Sequence, residues 1–60
     1  LYDKAVDLVL RERRATISFV QRHLGVGYNR AANLLEAMEE ARIVSKANSM
    51  GRREILVPEN

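Results

Sequence analysis

Asn29, Arg30, Asn33 and Glu36 follow one another closely, and each carries hydrogen-bonding groups that match an edge of a nucleobase. An Asn amide pairs bidentately with adenine, an Arg guanidinium with guanine or phosphate, and a Glu carboxylate accepts from the cytosine amino group. Such chemistry needs the groups on one edge of a rigid element. At ~100° per residue, a helix through this segment brings Asn29, Asn33, Glu36 and Glu40 within about 60° of each other. Arg30 and Ala37 flank that stripe. Ala31, Leu34, Leu35, Met38 and Ala41 fall on the opposite side and predict a core stripe. A polar face on an amphipathic helix is ordinarily a solvated surface, so its meaning depends on the elements around it.

Those elements can be read from patterning. Asp3 is a candidate N-cap for a first helix running to about Arg14, with Ala5, Val6, Val9 and Leu10 as its core positions. Leu8 falls off that stripe, toward another element. Ser18 and Gln21 have the spacing of a capping box, with Ile17 placed as the staple of a second, two-turn helix that stops at Gly25. Thr16 and Ile17 are β-branched and suit a very short strand. Gly25-Val26-Gly27 is a tight connector whose glycines permit positive φ. The third helix starts near Tyr28 and runs to about Ala41. Helix, glycine turn, helix is the helix-turn-helix arrangement. After Ala41 the pattern changes to two β-rich runs, 43–45 and 54–57, around the polar loop 46–51. The expected fold is mainly α with a small β-hairpin: a winged helix-turn-helix of three helices plus a wing.

In that architecture the N-terminal part of the third helix enters the major groove and the preceding helix crosses the DNA backbone. Asn29, Arg30, Asn33 and Glu36 are then the base-reading candidates. Ser18, Arg22, Tyr28, Lys46 and Arg52 are the backbone candidates; Ser18 also serves the predicted cap, and Tyr28 can equally cover the turn. Alternate strand residues point opposite ways, so only one of Arg52 and Arg53 is expected to face DNA. Either arginine can instead serve in a cross-strand surface ion pair with an acidic residue.

Composition agrees with this and excludes much else. The chain has 60 residues, enough for one domain that buries only ~60% of its unfolded surface. Eight of the 10 basic residues are Arg, against 8 acidic ones, for a net charge of +2. The charge is segregated: Arg11, Arg13, Arg14, Arg22, Arg30, Arg52 and Arg53 on one side of the balance, Glu36, Glu39 and Glu40 on the other. No cysteine is present, so neither a disulfide nor a thiolate metal site braces the fold. His23, the lone histidine, makes neither a metal site nor a triad. Arg30 stands where a third glycine of a dinucleotide fingerprint belongs. No catalytic constellation emerges, and no apolar run approaches the ~20 residues of a membrane span. No signal peptide is visible, and Leu1 suggests a piece of a longer protein.

The strings Val20-Gln21-Arg22, Gly27-Tyr28-Asn29-Arg30-Ala31-Ala32, Leu35-Glu36-Ala37-Met38-Glu39 and Gly51-Arg52-Arg53-Glu54-Ile55-Leu56 together are specific. They resemble the gamma domain of FtsK/SpoIIIE DNA translocases, over nearly the whole chain. The resemblance implies the C-terminal winged helix of a hexameric motor tethered to the bacterial inner membrane at the division site. The motor's ATP and Mg would sit in another domain; this one would hold no cofactor, perform no catalysis and touch no membrane from its cytoplasmic position. It implies recognition of short, polarised, G-rich sequences in double-stranded DNA, by copies of the domain side by side. It also implies contact with a XerD-type tyrosine recombinase through the region of Arg53 and Glu54. Family base-reading positions map onto Asn29, Asn33 and Glu36. Asn33 departs from the Arg that many relatives carry there; Asn is better matched to adenine than to guanine, so either a different base is read at this position or a wing arginine compensates. Two other uses of the fold remain: a protein–protein interaction module working through the Arg53–Glu54 face, and a transcription regulator. The lack of a dimerisation helix and the family strings count against the latter.

Overall fold

The computed structural model describes residues 1–58. Three helices come first: α1 (Tyr2–Glu12), α2 (Ile17–Leu24) and α3 (Tyr28–Glu40). A hairpin follows. Val44 and Ile55 form an antiparallel bridge. It is flanked by bonds from Ser45 N–H to Glu54 O and from Leu56 N–H to Ile43 O, both 2.8 Å. The tip is closed by Asn48, whose Oδ1 accepts from the amides of Met50 at 2.9 Å and Arg52 at 3.0 Å. The order of elements is that of a winged helix-turn-helix domain, mainly α with the hairpin as wing.

The core is one cluster. Ala5, Val9, Val20, Ala31, Leu35, Met38 and Val44 are essentially sealed from water, and Leu8, Ala15 and Phe19 join them. Every element thus contributes to it. On α1 the buried stripe is Ala5-Leu8-Val9, with Val6 and Leu10 only half-buried. This corrects the expected Ala5-Val6-Val9-Leu10 face. Both sets obey helical spacing and share Ala5 and Val9; packing on α2 and α3 rotates the helix toward Leu8. On α3, Ala31, Leu35 and Met38 are buried as expected, Leu34 is half-buried and Ala41 is exposed, because the helix has already ended.

The helix starts differ from the sequence reading at two places. Leu1, not Asp3, is the N-cap of α1: Ala5 N–H donates to Leu1 O at 3.0 Å. Asp3 lies inside the first turn, where its charge complements the helix dipole without capping. On α2 the cap is Thr16, whose Oγ1 accepts from Phe19 N–H at 3.3 Å. Ser18 and Gln21 are therefore helical and form no capping box. Starting earlier places Ile17 inside the helix, packed on the core, and removes the short strand expected at 16–17.

All the helices end in a left-handed turn. Arg13 has φ 56°, Gly25 φ 66° and Arg42 φ 61°. After each, the next amide reaches back five residues: Arg14 to Val9 O, Val26 to Gln21 O and Ile43 to Met38 O. These are Schellman-type endings, which satisfy the last helical carbonyls. Glycine enters this conformation without strain; a side chain costs about 1–2 kcal/mol. Two of the three turns nonetheless hold arginine. Arg13 recovers part of the cost by donating to Val57 O at 2.9 Å, which ties α1 to the second arm of the wing. Arg42 is exposed and makes no comparable bond among the described residues.

The wing is fastened to the helices by one side chain above all. Arg53 turns inward, with its side chain 10% exposed, and its Nη1 donates to Glu39 Oε1 on α3 and to Ser45 O on the opposite arm. Ser45 Oγ in turn accepts from Glu54 N–H at 2.8 Å. A hairpin this short is marginal alone and needs such packing.

Two predictions follow from these endings and this clasp. Gly25→Ala should lower stability by about 1 kcal/mol, ~4–8 °C in Tm for so small a domain, whereas Arg42→Gly should raise it. An Arg42→Gly chain that melts below the parent would remove the strain argument. Arg53→Ala should speed hydrogen exchange at the amides of Ser45 and Leu56 while amides within α1 and α3 keep their protection. Equal exchange in parent and variant would show that the wing stands without the clasp.

Candidate nucleic-acid interface

The sequence of α3 divides it into two faces. Its inward stripe is fully buried, which fixes the rotation of the helix. That rotation leaves Tyr28, Asn29, Arg30, Asn33, Glu36, Ala37 and Glu40 exposed. Tyr28 is 61% exposed. All four base-reading candidates lie on this continuous outer edge, within the first turns for Asn29, Arg30 and Asn33.

The start of α3 is also electrostatically open. Its N-cap is Gly27, with extended backbone at φ −74°, and no side chain accepts from the first-turn amides. No acidic residue occupies that turn. The amides and the positive end of the dipole therefore face outward, a setting that favours anions. Only Gly25 of the connector needs a positive φ; Gly27 does not, and a Cβ there would meet nothing within 4 Å. Glycine at 27 thus serves neither sterics nor capping. It leaves the amides uncovered.

Around this edge the backbone candidates are placed as follows. Ser18 and Arg22 are exposed on α2, and Ser18 is released from the capping duty expected of it. Lys46 is exposed on the first arm of the wing, but it shares a groove with Glu36, Glu39 and Glu40, beside Arg53. Its field is partly cancelled there. Arg52 is exposed and Arg53 is not, in keeping with strand alternation. Arg53 forms an internal pair with Glu39, not the surface cross-strand pair with its neighbour's arm that sequence allowed. Glu54 is exposed beside it.

Sequence reasoning missed the Glu39–Arg53 clasp. A signal was present: Arg53 has the same strand parity as Ile55 and Val57, which face the bundle. Also missed was the tie from Arg13 to Val57 O, for which sequence holds no signal. His23 Nδ1–H donates to Phe19 O at 3.1 Å and stacks at 4.3 Å on the Phe19 ring, a helix-surface role. Among the described residues no group of three or more His, Cys, Asp or Glu is placed to hold a metal ion. No helix among them is long and apolar enough to cross a membrane.

The geometry can be set beside known proteins. The FtsK gamma domain family matches residues 1–58. DNA translocase FtsK 2 of Ralstonia nicotianae is 66% identical over 58 residues, covering 97% of this chain and 7% of that protein. DNA translocase FtsK of Rhizobium meliloti is 61% identical over 57 residues, covering 95% of this chain and 6% of that protein. DNA translocase FtsK of Rickettsia typhi is 59% identical over 59 residues, covering 98% and 8%. The chain therefore spans only 6–8% of the length of these relatives. The similarity is to a small regulatory domain, not to the translocating motor. A family match over residues 1–58, with relatives 59–66% identical over at least 95% of the chain, shows that the chain belongs to the FtsK gamma domain family.

Proposed function

We propose that this domain binds double-stranded DNA sequence-specifically and thereby orients a chromosome-translocating motor on short, polarised, G-rich sites. The observation that carries this reading is the outer edge of α3, where Asn29, Arg30, Asn33 and Glu36 stand exposed behind an uncapped helix start. In the major groove Asn29 and Asn33 would each pair with adenine, Arg30 with guanine or a phosphate, and Glu36 with a cytosine amino group. Ser18 and Arg22 on α2, Tyr28 at the turn, and Lys46 and Arg52 on the wing would hold the backbone and set register. Glu36 lies at the border of the groove it shares with Lys46, so its carboxylate works at the limit of the reading edge.

One such module covers only about 600–1,000 Å² of DNA. High specificity then calls for copies bound side by side, which a hexameric parent supplies by raising the effective concentration of each copy. The parent would be an ATP- and Mg-dependent translocase anchored at the inner membrane, with this domain as its C-terminal piece on the cytoplasmic side. A second surface would serve a XerD-type recombinase. Its support is the exposed Glu54, held in place by the inward Arg53 and by the bond from its own amide to Ser45 Oγ.

Base reading and backbone holding separate by mutation. Asn29→Ala should cost about 1–3 kcal/mol on the best site and relax sequence preference there. Arg22→Ala should weaken binding to all duplexes alike. Competition binding against a randomised duplex pool checks both; an Asn29→Ala chain with undiminished preference would sink the base-reading role. Gly27→Asp tests the open helix start. A capping carboxylate there should leave Tm unchanged or a few tenths of a kcal/mol more favourable, yet weaken duplex binding by placing a negative charge at the entry of α3. Binding undiminished in a chain with a melting temperature at or above the parent's would show that the start of α3 does not approach phosphate.

A further inference from the structure

A second basic feature lies away from the reading edge. Arg13, Arg14, Ala15, Thr16, Arg52 and Arg53 line a recess between the α1–α2 connector and the second arm of the wing. Four of these six residues are arginines and none is acidic. Two of the guanidinium groups are engaged internally: Arg13 donates to Val57 O, and Arg53 to Glu39 and Ser45 O. Arg14 and Arg52 are exposed, and among the described residues neither side chain has a carboxylate or carbonyl partner. Their backbones are fixed all the same. Arg14 N–H is bonded to Val9 O and Arg52 N–H to Asn48 Oδ1. Arg14 also lies 5.9 Å from the centre of the Phe19 ring.

Arg53 has Glu39 as its counter-charge but Arg14 and Arg52 have none among the described residues, and the repulsion among gathered positive charges is relieved when an anion enters. Thr16, the N-cap of α2, already spends its Oγ1 on the Phe19 amide, so the anion-binding capacity of the recess lies in its arginines. We infer that this recess seats one backbone phosphate of the bound duplex, gripped between Arg14 and Arg52. The inference rests on duplex binding through α3 and adds to it a grip that joins the first connector to the wing. A duplex fits better than an acidic protein. In a helix-turn-helix the helix before the reader crosses the DNA backbone, and the recess sits at that helix's start. Ala15 is its only apolar residue, so it offers no pocket for the large buried anchors on which protein partners depend.

Binding of the 60-residue chain to a duplex, measured across about 50–200 mM salt, tests the grip. Arg14→Gln with Arg52→Gln should flatten the dependence of log K on log salt by ~0.9, one phosphate's share. It should also weaken the best and a random duplex alike, roughly tenfold. Arg14→Lys with Arg52→Lys should keep the parental slope, since a point charge suffices for counterion release. Because Arg14 rests against Phe19, Arg52→Gln alone, which touches no core residue, is measured as well and should reproduce part of the loss. A Gln pair that melts like the parent and keeps its slope overturns the grip while leaving recognition by α3 intact. Salt-insensitive binding by the parent itself would overturn both. Loss of binding to an acidic protein with an unchanged duplex slope also overturns it.

Discussion

Ala31, Leu35 and Met38 occupy one side of α3, and everything else in the domain is placed by their burial. The cluster they form takes in Val9 from α1, Val20 from α2 and Val44 from the wing. A chain of this length has no second core to draw on. Removing one large member, such as Leu35, would cost about 2–5 kcal/mol, a large part of the roughly 3–9 kcal/mol that ~0.05–0.15 kcal/mol per residue allows. The same burial sets the rotation of α3. Turning the helix by one residue's worth would pull Leu35 from the core, so the outward direction of Asn29 and Asn33 is fixed by hydrophobic packing they take no part in. Fold and reading edge are one constraint seen from two sides.

That coupling explains why the candidate site was legible in sequence. The wheel of α3 needs only the helical period and a strong apolar stripe, and both faces emerge as read. Gly25 announces the left-handed turn because glycine has no competing reason to be there. The ends at Arg13 and Arg42 carry no such mark. There the chain accepts strain because the amides of Arg14 and Ile43 complete the helix ending, a tertiary consequence of where the next element must go. The starts misled for a related reason. Thr16 and Ser18 can each cap, and the winner is decided by whether Ile17 packs on the core, not by the hydroxyls. On α1, Leu8 and Leu10 compete in the same way, and the contact with neighbouring helices chooses Leu8.

Electrostatics shows the same division between local pattern and assembly. A net charge of +2 suggests a weak attraction for DNA, and Glu39 on α3 reads as an obstacle. In the fold, Glu39 is spent on Arg53, where it holds the wing. The pair joins a side chain that is nearly covered to one that is partly exposed, so its worth lies in geometry more than in energy. It fixes the second arm, and with it the outward setting of Arg52 and Glu54. A residue that seems to oppose binding thereby fixes the setting of two that are candidates for contact. The remaining acids near the wing gather in the groove at Glu36 and Glu40, beyond the helix start that would meet phosphate first.

Gly27 marks where stability and recognition part. A Ser or Asp cap at that position would satisfy an amide of α3 and strengthen the fold, and there is space for it. The start of α2, eleven residues earlier in the chain, does carry such a cap in Thr16. The two helix starts thus differ in side-chain capping. On α2 the Phe19 amide is capped by the Thr16 hydroxyl, while the first amides of α3 have no side-chain acceptor. The start of α1 at Leu1 also lacks a side-chain cap but carries Asp3 in its first turn, so what sets α3 apart is the combination of uncapped amides, no acid in the first turn and an exposed polar edge.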